Sequence, residues 1–514
     1  MKRRSFIRHV GHSLAVPGIL GSLGFRQPGA QTLADLLRMA TSTDRVLVMI
    51  YLEGGNDGLN TVVPMDQLSA LNTVRPHVIL PENSLLGLSD APVGLHPALS
   101  GLYDLYTEDR LQIIQNVGYP QQNYSHFRST DIWMSASDSN ELVNSGWSGR
   151  YLSDRFPGYP DSYPNDDFTD PLSVELGYGS SLLFQGPESA MSMVISDPEF
   201  FYELVDNEDR EVPDSYAGDK LHYIRVIEKQ SQQYGKVVQE AAEKVKRQAD
   251  FPQSSLGQQL QIVSRLIAGG LRTPLYLVRL GGFDTHDAQV EALDHTTGEH
   301  ADLLSDLNDS IMAFIDDLEM QGTEDRVVGM TFSEFGRRIV SNASLGTDHG
   351  AAAPMFFFGN AVMGGVTGSN PIIKSTANYD DNLEMTYDFR QTYSSILQQW
   401  LGADASMAES ALFKGFEQIP IIGSRTVQSA GQKSDQLMVY PNPLTSNVTV
   451  AVKDVTDFVT IDLVDMQGKK VESIFAGVVD RKRLVSWRTD HLSSGRYLVI
   501  LRGKETHSVF SVVK

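Results

Sequence analysis

The chain reads as an α/β body, built on a mostly parallel sheet covered by helices, followed by a small all-β sandwich at its C-terminus. Three observations predict this. Apolar, β-branched runs such as "RVLVMIYLEGG" (45–55) end in glycines, as buried parallel strands do. Stretches with helical spacing alternate with those runs. From residue 436 onward only short apolar or alternating runs separated by turn signals are left.

Along the body, the first strand is followed by "LHPALSGLYDLYTED" (95–109), which has helical spacing, and by a strand at "RLQIIQNVG" (110–118). Residues 119–218 are rich in Pro, Asp and Tyr, which predicts a long loop excursion, a lid or a wall of a site. An amphipathic helix fits 219–248. The strand "PLYLVRLGG" (274–282) precedes a helix over 298–320, with Leu303, Leu307, Ile311, Phe314, Ile315 and Leu318 on one face. Strands at "RVVGMTFSEFG" (326–336) and "PMFFFGN" (354–360) come next, then a last helix at "DFRQTYSSILQQWLG" (388–402) with Asp388 near its N-cap. In the C-terminal module, Gln467-Gly468 and Ser494-Gly495 punctuate hairpins. The predicted organisation is a leader at 1–30, the body at 31–423, a linker "SRTVQSAGQKSD" at 424–435 and the β module at 436–514.

A length of 514 residues suits two or three domains, and 41% hydrophobic residues supply a large core. There is no cysteine, so any metal must be held by His, Asp, Glu or Asn. The net charge of −22 is unevenly spread. Residues 1–30 carry five Lys/Arg and no acid, and residues 436–514 carry 11 Lys/Arg against 8 Asp/Glu, which leaves −30 for the stretch between. So acidic a body argues against nucleic acid as a partner. The basic start "MKRRSFIRHVGHSLAVPGILGSLGF" leads into an apolar stretch, Val10 to Phe25, too short and too rich in Gly and Pro to span a bilayer as a helix.

Candidate chemistry sits where the strands end, the place where open parallel sheets bind ligands. The first strand ends in Glu53-Gly54-Gly55-Asn56-Asp57-Gly58. The motif "GGFDTHDAQ" puts Asp284 and His286 after another, and Ser333-Glu334-Phe335-Gly336-Arg337 closes the next; Asp348 and His349 come shortly afterwards. Carboxylates and imidazoles gathered from several strand ends would hold a divalent cation; with oxygen and nitrogen donors and no sulfur, Zn, Mn, Mg and Ca are all allowed. Taken singly, each has a plainer reading. Asp57 suits a turn, Asp284 a helix cap, Asp348 an Asx-turn, and Glu334 a pair with Arg337 or Arg338.

Three resemblances add to this reading. Arg3-Arg4-Ser5-Phe6-Ile7 resembles a twin-arginine export signal, and "PGAQ" near Ala30 is one place for cleavage. Tyr440-Pro441-Asn442-Pro443, "VDMQGKKV" and Leu492-Ser493-Ser494-Gly495-Arg496-Tyr497 resemble the type A sorting domain of the type IX secretion system of Bacteroidetes. That resemblance implies passage through the outer membrane, so the expected partners are the type IX machinery through 436–514 and a twin-arginine or other inner-membrane exporter, and the expected location is extracellular or on the cell surface.

"VLVMIYLEGGNDGLNTVVP", "NYSHFRSTDIWMSA", "GGFDTHDAQ", "SEFGRRIVSN" and "GTDHGAAAPMFFFGNAVMGG" resemble the DUF1501 family, in that order, over about residues 40–420. That family's fold is related to the alkaline phosphatase and sulfatase superfamily, whose members use metal ions to hydrolyse phosphate or sulfate esters. The resemblance implies metal ligands at Asp57 (with Asn56), Asp284, His286, Glu334, Asp348 and His349. It also implies Ser125 as nucleophile at a helix N-terminus, His126 as ligand or acid/base, and Arg128 or Arg337 as an oxyanion clamp. Phe335 departs from the pattern, since the superfamily puts His there and a second metal would lose a ligand. No C/S-x-P-x-R signature is present, so a formylglycine sulfatase is not expected. The implied function is an exported metal-dependent hydrolase of an anionic ester or glycan. The alternatives are a non-catalytic surface binding or scaffold protein and a calcium-stabilised fold without catalysis.

Overall fold

In a computed structural model of the chain, the described residues are 44–177, 179–195, 234–423, 437–440, 444, 446–465, 469–493, 495–503 and 507–514. The chain divides into two compact units, residues 1–424 and 425–514. The expected leader at 1–30, the linker at 424–435, Pro441-Asn442-Pro443 and Gln467-Gly468 lie outside the described residues.

In the first unit the sheet is organised by β1 (Val46–Glu53), buried along nearly its whole length because its residues are apolar on both faces. Each such fully buried aliphatic side chain stabilises the fold by about 1.5–3 kcal/mol. The other strands are β2 (Leu111–Gly118), β3 (Ser173–Leu176), β4 (Met193–Ile195), β5 (Leu275–Gly281), β6 (Val327–Phe332), β9 (Ala353–Phe358), β10 (Gly365–Thr367) and β11 (Tyr387–Asp388). Between β6 and β9, β7 (Arg337–Ser341) and β8 (Thr347–His349) form a separate two-stranded pair. The nine-stranded sheet runs β10-β2-β9-β6-β1-β5-β3-β4, with β11 also on β2. Its pairings are parallel except where β9 lies antiparallel between β2 and β6.

Helices cover the sheet. They include α1 (Ser100–Thr107), α2 (His126–Ser135), α3 (Trp147–Arg155), α4 (Ser255–Ala268), α5 (Glu299–Gln321) and α6 (Phe389–Ser395). The face predicted for α5 is the buried one, with Leu307, Ile311, Phe314, Ile315 and Leu318 in the core and Leu303 packed at its margin. Asp388 caps α6 in a capping box with Gln391, and the helix runs on into a π turn, Ile396–Trp400.

Several expectations are corrected. Residues 119–218, a loop-rich excursion by their composition with a helix expected after Ser125, hold that helix, α2, and also α3, β3 and β4. The two strands have only four and three residues, too few to show a period. The run 326–336 is strand only to Phe332; Arg337 begins the separate pair. Of the helix expected at 219–248, the described part is helical over 234–244. α4, with Ser254 accepting from Gly257 N as its cap, was not anticipated.

The second unit has five antiparallel strands: β12 (Leu437–Tyr440), β13 (Asn447–Asp465), β14 (Lys470–Arg488), β15 (Arg496–Arg502) and β16 (His507–Val513). Alternate residues of β13, namely Val448, Val450, Val452, Val459, Ile461 and Leu463, fill a core of its own. Gly495 does not close a hairpin, because β14 and β15 both pair with β13 rather than with each other.

The turn after β1 lies directly against the segment that carries Asp284. Gly54 (φ +120°) and Gly55 (φ +85°) are both in the left-handed region, and a Cβ on Gly54 would lie 2.4 Å from Asp284 N. Gly54→Ala is therefore expected to lower unfolding stability by roughly 2 kcal/mol or more. Gly415→Ala, with nothing within 4 Å of its added carbon, should change it little. Urea midpoints of the two variants check this.

Candidate metal centre

Three histidines and one aspartate meet above the C-terminal ends of β1, β5 and β6. Asp284 follows β5, His126 opens α2, and His349 ends β8. Ligand atoms of His126, Asp284 and His349 all lie within 4.8 Å of one another. Asp284 Oδ1 is 3.1 Å from His349 Nε2, 3.2 Å from His286 Nε2 and 3.5 Å from His126 Nε2. The Nε2 atoms of His286 and His349 are 2.9 Å apart.

Each ring is held by its other nitrogen. His126 Nδ1 lies 2.7 Å from Glu334 Oε1, His286 Nδ1 2.7 Å from Asp348 Oδ1, and His349 Nδ1 2.8 Å from the carbonyl oxygen of Tyr124. Those acceptors draw the ring proton to Nδ1, so a neutral ring presents its Nε2 lone pair to the centre. In that tautomer the three Nε2 atoms and the Asp284 oxygen face one another, eased by the Arg337 guanidinium, and a cation among them would bind all four. His126 Nε2 is shut off from water and has no hydrogen-bond partner. Carboxylate- or carbonyl-anchored imidazoles with free Nε2 atoms are what metal ligation asks for, so these residues fit a divalent cation.

The surrounding charges agree. Burial pushes the Asp284 carboxyl up, but its charged neighbours, the Arg337 guanidinium first, outweigh that and hold it below the usual carboxylate range. Burial likewise raises Asp348, and bonds from His286 and Tyr379 outweigh it. The His126 imidazole is raised, chiefly by its bond to Glu334. The His349 imidazole is lowered, chiefly by burial. Phe335 packs its ring 4.9 Å from His126 and 4.7 Å from His349, centroid to centroid. A phenyl wall thus closes one side of the imidazoles.

The structure separates the remaining candidates. Glu334 and Asp348 stand behind His126 and His286 and orient them; Glu334 also accepts from Gly54 N and Ser333 Oγ. Asp57, read as the first-strand ligand, is not brought to the cluster. It is buried against Arg75, accepts from Gln289 Nε2 at 2.6 Å, and caps the short helix Gly58–Thr61 through Leu59 N. Asn56 meets Thr61 and His300 instead. Arg337 is fully buried, and its guanidinium is spent on the carbonyls of Gly54, Gly55, Phe283 and Thr347 and on Asp284. It staples the strand-end turns together and offers no free edge to an oxyanion. Arg128 is likewise tied to the carbonyls of Asp138, Ser139 and Glu141. Ser125 is exposed at the N-cap of α2, and its side chain makes no capping bond. Gln289 stood inside the "GGFDTHDAQ" motif without being singled out. The Tyr124 carbonyl has no sequence signature at all, because every residue carries one.

The central stretch of the chain, residues 112–397, matches a family model described as protein of unknown function (DUF1501). The chain belongs to the DUF1501 family. Residues 438–514 match a secretion system C-terminal sorting domain, the type IX sorting tail, which marks this DUF1501 protein for export to the cell surface or beyond. Among the described residues no helix is long and apolar enough to cross a membrane. No curated protein matches the chain. Similar solved structures include a protein in the alkaline phosphatase superfamily from Vibrio parahaemolyticus, 10% identical over 91% of this chain and 82% of that one, with a TM-score of 0.33. A sulfatase from Pseudoalteromonas sp. is 10% identical over 94% and 91%, at 0.34. The alkaline phosphatase of the Antarctic bacterium TAB5 is 10% identical over 61% and 92%, at 0.27. Overlaps this loose carry nothing about the chemistry of the site.

The layer beneath the cluster generates two expected outcomes. Arg75→Met leaves Asp57 charged and buried, and should cost about 3–5 kcal/mol by urea unfolding, while the folded fraction keeps whatever metal the wild type holds. His300, buried with its Nε2 2.9 Å from Asn56 Oδ1, is pulled down to about 4 by burial. Below the unfolded value of about 6.5 the unfolded chain takes up a proton that the folded one refuses until about pH 4, so stability falls on acidification across that window. Between about pH 7 and about pH 5 the wild type should lose about 2 kcal/mol more than His300→Gln.

Proposed function

We propose that this DUF1501 protein is an exported hydrolase of phosphate or sulfate esters that works with one divalent cation held by His126, Asp284, His286 and His349. The observation that carries the reading is the convergence of three anchored Nε2 atoms on one carboxylate oxygen. A donor set with three nitrogens and one oxygen suits zinc or another transition metal and disfavours calcium and magnesium, which take oxygen. Asp284, Glu334 and Asp348 against Arg337 leave a net charge of about −2, which a divalent cation balances. Phe335 in the expected place of a further histidine supports a single metal.

A cation there would supply Lewis acidity, drawing charge from the ester and from the departing oxygen. The chain's own residues do the rest. Ser125 is the candidate nucleophile, an exposed hydroxyl immediately before His126. The N–H groups of His126, Phe127 and Arg128 precede the first α2 bond, from Ser129 N to Ser125 O, and are available to the non-bridging oxygens of an anionic ester. The segment resembling a twin-arginine signal would start export, which delivers a protein already folded around its metal.

Purified protein, after dialysis, is expected to retain about one equivalent of transition metal per chain by elemental analysis. His286→Ala and His349→Ala should lose it, and chelation should lower the melting temperature of the wild type alone. Chromogenic phosphate and sulfate esters test turnover. Ser125→Ala should keep the metal and lose roughly 10³-fold in rate. Wild-type protein that binds no metal sinks the reading, and bound metal without turnover on either ester class leaves a metal-stabilised binding protein.

A further inference from the structure

Beside the imidazole cluster stands a cation in no direct ion pair among the described residues, its charge felt by the Asp348 carboxylate. It is Arg338, next to Arg337 on β7. Its guanidinium is held through Nη1 by the carbonyl oxygen of Tyr379, and its Nε is shut off from water with no partner. Two tyrosine rings frame it, with Cζ 4.5 Å from the Tyr379 centroid and 5.8 Å from that of Tyr124. Both rings are open to solvent, Tyr124 41% exposed and Tyr379 56%. Both are also fixed in place. Asn382 Nδ2 donates to the Tyr124 hydroxyl at 3.3 Å, and the Tyr379 hydroxyl bonds to Asp348.

The same residues reach the cluster directly. The Tyr124 carbonyl holds His349, and Asp348 holds His286. The guanidinium is thus one side chain away from two of the ligand imidazoles. An arginine with a nearby carboxylate but none in direct contact keeps a face of its guanidinium for an outside anion.

We infer that Tyr124, Arg338 and Tyr379 form a subsite for a sugar ring carrying its own carboxylate or sulfate, next to the ester that the cluster would cleave. The planar guanidinium fork suits an oxyanion of that shape. Flat tyrosine faces suit the C–H face of a pyranose, and the Asn382 amide and tyrosine hydroxyls suit its hydroxyl edges. A single anionic group per ring also fits a body whose charge repels dense polyanions. The position of this subsite relative to a cleaved ester rests on the hydrolase reading; the recognition itself does not.

The test is binding of glucuronate, glucose 6-sulfate, glucose and sodium sulfate to the full chain, with and without added zinc, by calorimetry or tyrosine fluorescence. Glucuronate and glucose 6-sulfate should bind at least roughly tenfold more tightly than glucose, the weight of one charge-assisted bond. Arg338→Gln should abolish that difference. Tyr379→Phe, which keeps the ring, should keep most of the binding that Tyr379→Ala loses. Binding that persists in zinc-free protein upholds the subsite even where the hydrolase reading has failed. Equal binding of glucose and glucuronate overturns the inference, as does unchanged glucuronate binding in Arg338→Gln. Sulfate alone binding as tightly as glucose 6-sulfate removes the sugar from it.

Discussion

Three imidazole nitrogens gathered on one carboxylate oxygen are an arrangement that a cation among them would hold together. Much of the first unit's upper surface can be understood from that arrangement. Glu334, Asp348 and the Tyr124 carbonyl each meet one Nδ1, which turns Nε2 of all three rings toward Asp284. Arg337 then holds Asp284 from behind while closing the carbonyls of three separate turns. The positive φ of Gly54 and Gly55 lets the β1 turn lie against Asp284 and Phe335 at a distance no side chain would permit. The inner imidazoles and Asp284 are thus fixed by outer partners, and the outer partners by backbone packing.

Beneath this layer lies a second, buried and already neutralised. Asp57 bonds to Arg75 and Gln289, and His300 to Asn56, out of reach of solvent. Their role is to hold the end of β1 against the segment that carries Asp284. The two layers contain the same residue types a few residues apart, and they differ in what surrounds each oxygen. Asp57 is fully buried against Arg75 and has no open side for a cation. Asp284 also meets a buried guanidinium, but it is half exposed and turned toward three imidazoles.

Legibility tracked the range of the forces involved. Strand and helix periods are local, so β1, β2, β5 and the buried face of α5 could be read directly, as could the cap at Asp388. β3 and β4 could not, because three or four residues have no period to show. The antiparallel β9 looks from its residues like any other buried strand, and only its neighbours fix its direction. In the second unit the alternation along β13 showed that the strands exist. It did not reveal that β14 and β15 would both pair with that one long strand.

By itself, the sequence determined that acids and imidazoles would cluster at strand ends, that no sulfur would join them, and that a β module would close the chain. It also put Asp284, His286 and His349 among the residues that would meet. His126 was open between ligand and acid/base. Only the tertiary structure brings it to Asp284 and His349, sets Glu334 and Asp348 behind the rings, gives Asp57 to Arg75 and makes Arg337 a staple. The physical reason is that a charged side chain's function depends on which partners it meets in space, and those partners lie tens to hundreds of residues away along the chain.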